Sequence, residues 1–436
     1  MATISRALGH VKAQLDQLIC EPDVVRICKR LGHVWRKRLL SPAITVQLFL
    51  LQLLAKVAMQ GLCRVANLQV TAQAICKAKQ RLPLGVLMEL VRRSGGSGDD
   101  NDDSPPQCRW RGLTVYLADG MSFMIPDTAA LAGRFGKPKN QRGASPGYPT
   151  PKLLALMDHA GGLIHKVIAL PHARQEYTCL SRLFGAIGRA SLLLGDRGLV
   201  SFPHLAMLIG AGVHGCFRLP VGQVVFNRGT SPRRRLIKRL GRQDMLIRWA
   251  ACHRPAGWLS KKRWATLSKQ ELTLRQISYR VCRKGFRTKW AWIVTPLTDP
   301  QAYPAQDLID LYARRWQIEV CFRDLKQTLG MTMISARSVP GVRKEILAFV
   351  LLYNLIRRVM QQAAIQQQVE ADRIRFIDAL RWLLWSQPGD TIPQLKVNPH
   401  RVRPTPPRKI KAGQQRFGQL KGSRAALCKP ACEAKI

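Results

Sequence analysis

The sequence predicts an α/β protein: a core with a mixed sheet, interrupted by a β-rich insertion and preceded by a helical N-terminal domain. Three observations predict it. Residues 1–93 carry apolar positions at helical spacing, residues 108–214 alternate short apolar runs with helical stretches, and residues 215–295 hold strand-like runs between basic turns. The chain has 436 residues, more than the ~250 to 300 at which single cores stop growing, so two or three structural units are expected.

In the N-terminal part, Ser41 followed by Pro42 reads as an N-cap with proline at the first helical position, opening an apolar helix over Ala43–Met59. Two further helical segments flank Pro83. The first carries Lys77, Lys79 and Arg81, a face that fits DNA as a recognition helix or water as an ordinary basic surface. Residues 94–107, rich in Gly, Ser, Asp and Pro, read as a linker. Its four aspartates, Asp99, Asp100, Asp102 and Asp103, read as solvated charge, because a flexible run does not hold metal ions in fixed geometry.

Beyond the linker, LTVYLADG is a β-rich run that closes on Asp119, and LLALMDHAGGLIHKVIAL reads as two strands around a turn. QEYTCLSRLFGAIG is helical, ASLLLGDRG is a strand ending in Asp196, and FPHLAMLIGAGV is helical again. From about Gly215 to Thr295, HGCFRLP, GQVVFN, MLIRWA, ELTLRQISYRV and TKWAWIVT read as strands of an inserted module. Helices return over Pro304–Leu329, Val342–Gln362 and DRIRFIDALRWLLW, giving a second part of the core at 296–362 and a C-terminal helix and basic tail at 363–436. Beyond Gln387 the Pro-rich, basic sequence reads as extended or disordered.

Lys and Arg number 70 against 26 Asp and Glu, a formal charge of +44 that exceeds what solubility needs and points to a polyanionic partner, DNA first. The runs SPRRRLIKRLGR, KKRW and the tail from Arg401 are candidate phosphate tracks. The basic residues are spread along the chain rather than packed into one amphipathic helix, which disfavours a membrane surface. The most apolar runs, Ala43–Met59 and Ile346–Met360, fall short of the ~20 residues that span a bilayer and read as buried helices. The 12 cysteines form no CxxC pair and follow no apolar leader, so they read as reduced thiols in a cytoplasmic, nucleoid-associated protein; the CxxxC of Cys428 and Cys432 lacks the histidines of a zinc set. No GxxxxGK[ST] occurs, so no nucleotide cofactor is expected. His159, His165 and His172 are assigned no chemistry.

Only Asp119 and Asp196 stand at the exit of an apolar strand directly before a glycine or an Arg-Gly turn. Strand exits are where an α/β sheet presents reacting groups, and paired carboxylates in a basic protein suggest a hard divalent cation, most simply Mg²⁺. A third acid comes from YARRWQIEVCFRDLK. At about 100° per residue, Tyr312, Arg315, Glu319 and Lys326 fall within roughly 60° of one another, beside an apolar stripe of Leu311, Ile318, Phe322, Leu325 and Leu329. Asp324 lies near 120° on that count, pointing away. Glu319 therefore suits chemistry better than Asp324. From this helix alone, a surface ion pair with Arg315 or Arg323, worth ~0.3 to 0.5 kcal/mol, is the better explanation of it.

Tyr312, Arg315, Glu319 and Lys326 match Y-x2-R-x3-E-x6-K, and with the DG of Asp119 and the DRG of Asp196 the chain resembles the DDE transposases of bacterial insertion sequences, in particular the insertion sequence 4 group. The resemblance covers most of the chain. It implies a ribonuclease-H-like core in which Asp119, Asp196 and Glu319 are catalytic and hold two Mg²⁺ ions, with Mn²⁺ as a plausible substitute. It further implies that Tyr312, Arg315 and Lys326 grip phosphates of the element's terminal inverted repeats, that target DNA is the second substrate, and that a homodimer pairs the two ends. A tryptophan of the β insertion would stack on a flipped base where a hairpin forms; Trp292 is the first choice and Trp290 the other, and core packing explains Trp292 equally well.

Overall fold

The computed structural model describes residues 21–36, 38–96, 109–138, 147–226, 233–253, 255–281, 289–386 and 390–399. The four linker aspartates, the tail from Arg401, Cys428 and Cys432 lie outside the described residues.

Strands β1 (Thr114–Ser122), β2 (Lys152–Asp158), β3 (Ile164–Leu170), β4 (Ser191–Gly195), β5 (Val213–Arg218), β6 (Arg234–Gly241), β7 (Asp244–Ala250), β8 (Glu271–Val281) and β9 (Lys289–Thr295) form one sheet of order β3-β2-β1-β4-β5-β9-β8-β7-β6. β1 runs antiparallel to β2 and parallel to β4; β2 is antiparallel to β3, and β4 parallel to β5. This order, with only the second strand reversed, is the ribonuclease-H-like sheet. Every residue of β4 is buried, which explains why its sequence is a continuous apolar run rather than an alternating one.

The insertion joins the same sheet. HGCFRLP, expected to open the insertion, instead supplies β5, whose ladder to β4 makes it the fifth core strand. β9 then pairs with β5 at Phe217↔Val294 and Arg218↔Ile293, so the insertion extends the core sheet edge. GQVVFN is not a strand: after Pro220 it starts as a 3₁₀ turn, Val221–Gln223. The sixth strand comes from the basic run that ends RRLIKRLG, placed at the outer edge, where charged side chains discourage pairing with another chain. QEYTCLSRLFGAIG forms the 3₁₀ segments Glu176–Arg182 and Phe184–Ala186 rather than an α-helix.

The helices are α1 (Glu21–Arg30), α2 (Pro42–Ala55), α3 (Met59–Val65), α4 (Ala72–Arg81), α5 (Leu84–Ser94), α6 (Ala129–Phe135), α7 (Phe202–Gly210), α8 (Lys261–Leu267), α9 (Ala305–Ala313), α10 (Gln317–Arg323), α11 (Val339–Gln366) and α12 (Phe376–Trp385). Ser41 Oγ accepts the Ile44 N–H at 3.3 Å and Pro42 begins α2, the expected cap. The apolar run breaks earlier than Met59, because Lys56 adopts φ 52° and the chain bends by 105° into α3. Among the described residues no single helix is long and apolar enough to cross a membrane.

α11 has 28 residues, ~42 Å of helix at 1.5 Å per residue, and is buried on nearly every side between the sheet and helices α2 and α5. Val46, Leu87, Leu117 and Ile346 therefore belong to one core. Polar joints lock the layers. Asn354 Nδ2 donates to Ile164 O at 2.9 Å and to Ser94 Oγ at 2.8 Å, tying α11 to β3 and α5. Lys344 Nζ donates to Lys79 O at 2.9 Å and Gln80 O at 2.6 Å, carbonyls at the end of α4.

Of the three basic residues proposed for a recognition face, Lys79 is turned inward. Its ammonium donates to the Gln52 side chain and lies 4.2 Å from the Phe49 ring centroid, and burial brings its pKa down to about 8. Helix periodicity could not reveal this, since Lys79 was inside the protein through contacts with another helix.

Candidate active site

Alternation along β1 sends Val115, Leu117 and Met121 to the α11 face and Tyr116 and Ala118 to the other, so Asp119 emerges on the α11 face. On β4, Leu192 and Leu194 share that face, and Asp196 follows with the same parity. The parallel register Ala118↔Gly195 then sets the two aspartates side by side, Asp196 just past the end of β4 and Asp119 within β1, which does not end at Asp119 as expected but runs on to Ser122 because β2 continues to pair with it. Gly195 is required there: a Cβ would stand 2.6 Å from the Phe217 ring.

The third acid arrives on the run after the insertion, which is not one regular helix. α9 tightens into a 3₁₀ turn at Arg314–Trp316, continues as α10, and widens into a π turn at Asp324–Thr328. Arg315, on the 3₁₀ turn, joins the acids: Nη1 lies 3.1 Å from Asp119 Oδ2 and Nη2 lies 3.2 Å from Glu319 Oε1. Its side chain is only 13% exposed, so this is an ion bridge sheltered from screening. Gly120 N–H donates to Asp119 Oδ1 at 2.8 Å.

Tyr312 lies inward. Its hydroxyl donates to Gly195 O at 3.2 Å, and burial, with Arg315 opposing, drives its pKa far up. As placed, it pins the end of β4 and with it Asp196, and its hydroxyl is spent on the backbone. Lys326, on the π turn, is half-buried, forms no hydrogen bond or ion pair among the described residues, and has its pKa lowered by burial. Asp324 faces away from the other acids, toward Arg323 and Arg357, and burial raises its pKa to about 6. Strand alternation sends Trp292 to the opposite face from the acids: it packs with the second core, 6.2 Å from the Phe226 ring, while Ile293 faces the acid side. The structure therefore does not bring Trp292 to the three acids. Trp290 is 42% exposed, with the Arg280 guanidinium 4.9 Å from its ring.

Sequence reasoning missed a fourth carboxylate. Glu176 packs its side chain over Gly120, where an added Cβ would collide with it, and burial raises its pKa, with Lys152 opposing and Asp119 adding. A single glutamate in a helical-looking stretch carries no signal for this; only the 3₁₀ segment and the bare Gly120 bring it near. Burial also raises the pKa of Asp119, with the Gly120 N–H and Arg315 opposing and Asp196 adding. For Arg315, burial works against its charge, but Tyr312 and the acids outweigh it and the pKa is raised.

The donor chemistry of Asp119, Asp196 and Glu319 fits a hard divalent cation, being all carboxylate without thiol or imidazole. With Arg315 bridging two of them, no three acid, His or Cys side chains converge as a metal cage among the described residues.

A sheet of this order, with Asp119 on its first strand, Asp196 just past its fourth and Glu319 on the following α10, defines an α/β domain of the ribonuclease-H-like class. The family model described as transposase DDE domain matches residues 110–355, and the chain belongs to that family, the insertion sequence 4 group of DDE transposases. Such domains generally use divalent metal ions. Over 298 residues the chain is 27% identical to "Transposase InsG for insertion sequence element IS4" of Escherichia coli (strain K12), covering 68% of this chain and 62% of that protein. It is 24% identical over 147 residues to "Putative transposase InsZ" of the same strain, covering 34% of this chain and 48% of that protein. The chain thus spans less than two thirds of the length of these relatives. A solved structure, a piggyBac transposase synaptic complex with hairpin DNA, aligns with a TM-score of 0.43 and 7% identity over 86% of this chain and 79% of that one.

Proposed function

We propose that the protein is a DNA transposase that binds the terminal inverted repeats of its own element, cleaves there, and transfers the freed 3′-hydroxyl ends to target DNA. The observation that carries this reading is the meeting of Asp119 and Glu319 on one guanidinium, with Asp196 beside Asp119 at the neighbouring strand exit. Asp119, Asp196 and Glu319 are the residues that would hold Mg²⁺, with Mn²⁺ as substitute. The bound ions would activate the attacking oxygen and steady the leaving one in an in-line displacement. The chain's own part is to hold the acids on β1, past β4 and on α10, to pin β4 through Tyr312, and to present cations to the DNA backbone. Lys326, about two turns past Glu319, makes no hydrogen bond or ion pair among the described residues, and with Arg315 it would hold phosphates as a point charge and a bidentate fork. The formal charge of +44 supports a wide phosphate footprint. Pairing of two ends calls for a homodimer, and action on DNA calls for a nucleoid location.

Purified protein, Mg²⁺, labelled terminal repeats and a supercoiled target separate this reading from its rivals. Joined product is expected. Cleavage without joining would make the protein a metal-dependent nuclease, and binding alone an inactive DNA-binding relative. Glu319→Gln and Asp119→Asn are each expected to abolish cleavage while leaving end binding almost intact; full cleavage by a folded variant would remove that residue from the catalytic set.

A further inference from the structure

We propose that Arg315 is the active site's own counter-cation: it holds Asp119 and Glu319 by spanning them, and a divalent ion reaches these acids by exchanging with it. This rests on the reading of the acids as metal ligands. The two oxygens it takes, Asp119 Oδ2 and Glu319 Oε1, belong to different elements, strand β1 and helix α10, and one planar guanidinium fixes both at 3.1 and 3.2 Å. Asp119 Oδ1 already accepts the Gly120 N–H, so the oxygen Arg315 holds is the one left for a cation. No other Lys or Arg pairs with Asp119, Asp196 or Glu319 among the described residues. Of the other charged groups here, Glu176 is itself an acid, and Lys152 acts on Glu176. Among the described residues Arg315 is thus the one cation paired with these carboxylates, and it stands on oxygens a metal would need.

A competitor that is covalently part of the chain is present at every metal concentration, so it weakens apparent affinity by a constant factor. It also steadies the loaded geometry in advance, because it keeps β1 and α10 at cation-bridging distance. Arg315 is on this account a positioning residue before metal entry. Once exchanged out, the same fork is released for other anions near the site.

The test is a titration of the full-length, DNA-free protein with Mn²⁺, following free Mn²⁺ by its electron paramagnetic resonance signal. Arg315→Gln, which keeps a polar side chain but shortens it and removes the charge, is expected to bind Mn²⁺ about tenfold more tightly than wild type. Arg315→Lys keeps the charge but loses the fork, and is expected to fall between them; it preserves the comparison if the glutamine variant does not fold. Added Mn²⁺ should also raise the melting temperature of Arg315→Gln more than that of wild type. Asp119→Asn should lose Mn²⁺ binding in either background. Equal or weaker binding by both Arg315 variants, with loss on Asp119→Asn, would overturn the exchange while leaving the acids as metal ligands. Binding that survives Asp119→Asn, or no binding in any variant, would overturn the metal reading and the proposal with it.

Discussion

At the scale of single residues, burial decides what a polar side chain can do. Tyr312 illustrates this: its hydroxyl is committed to Gly195 O, so Tyr312→Phe should lower stability by about 1 kcal/mol and leave DNA affinity unchanged, measured by denaturant unfolding and by end binding. Weakened binding at unchanged stability would return it to a phosphate role. His204 is fully buried, with its ring stacked 4.5 Å from that of Trp258 and Nδ1 at 2.8 Å from Ser201 Oγ, and burial brings its pKa down to about 4. The unfolded value is about 6.5, so the unfolded chain takes up the proton first. His204 therefore contributes stability above about pH 6.5 that is lost as pH falls toward about 4. Melting temperatures of wild type and His204→Phe across that window should diverge, with the variant's profile flatter.

At the scale of elements, the insertion is anchored to the segment that leads into the Glu319 helix. Arg275 on β8 is fully buried, with Nε 2.9 Å from Asp244 Oδ1 on β7 and Nη1 donating to Tyr303 O at 2.6 Å, just before α9. A buried charge stripped of its partner is costly, whereas an apolar pair of similar volume is tolerated. Arg275→Met should cost about 3 to 5 kcal/mol in urea unfolding, and Arg275→Met with Asp244→Leu should recover most of it. Equal losses in the single and double variants would refute the coupling. The irregular path from α9 to the π turn belongs to this scale too. Counting at 100° per residue placed Arg315 and Glu319 together, as observed, but assumed one regular helix and so set Tyr312 on the same outward face, whereas the chain turns it inward.

Across the whole molecule, the N-terminal helices and the sheet share one apolar core through α11, with Asn354 and Lys344 as polar joints. A chain cut to remove residues 21–96 should lose its soluble fold rather than leave an independent catalytic core, as read by expression and circular dichroism. A folded, soluble product would show that the two parts are separable. The large excess of positive charge predicts DNA affinity that falls steeply and linearly in log–log form with salt, readable as a slope from binding titrations.

Local sequence determined the strand that carries Asp119 and the one that leads into Asp196, the cap at Ser41, the α/β class and the Arg315–Glu319 pairing. Each depends on short-range periodicity, capping chemistry or neighbours a few residues apart. Tertiary structure alone decided that HGCFRLP is a core strand, that Lys79 and Tyr312 point inward, that Trp292 stands on the far face, and that Glu176 approaches Asp119 across Gly120. Those outcomes depend on strand order and layer packing, which bring together residues far apart in the chain and leave no trace in any one stretch of it.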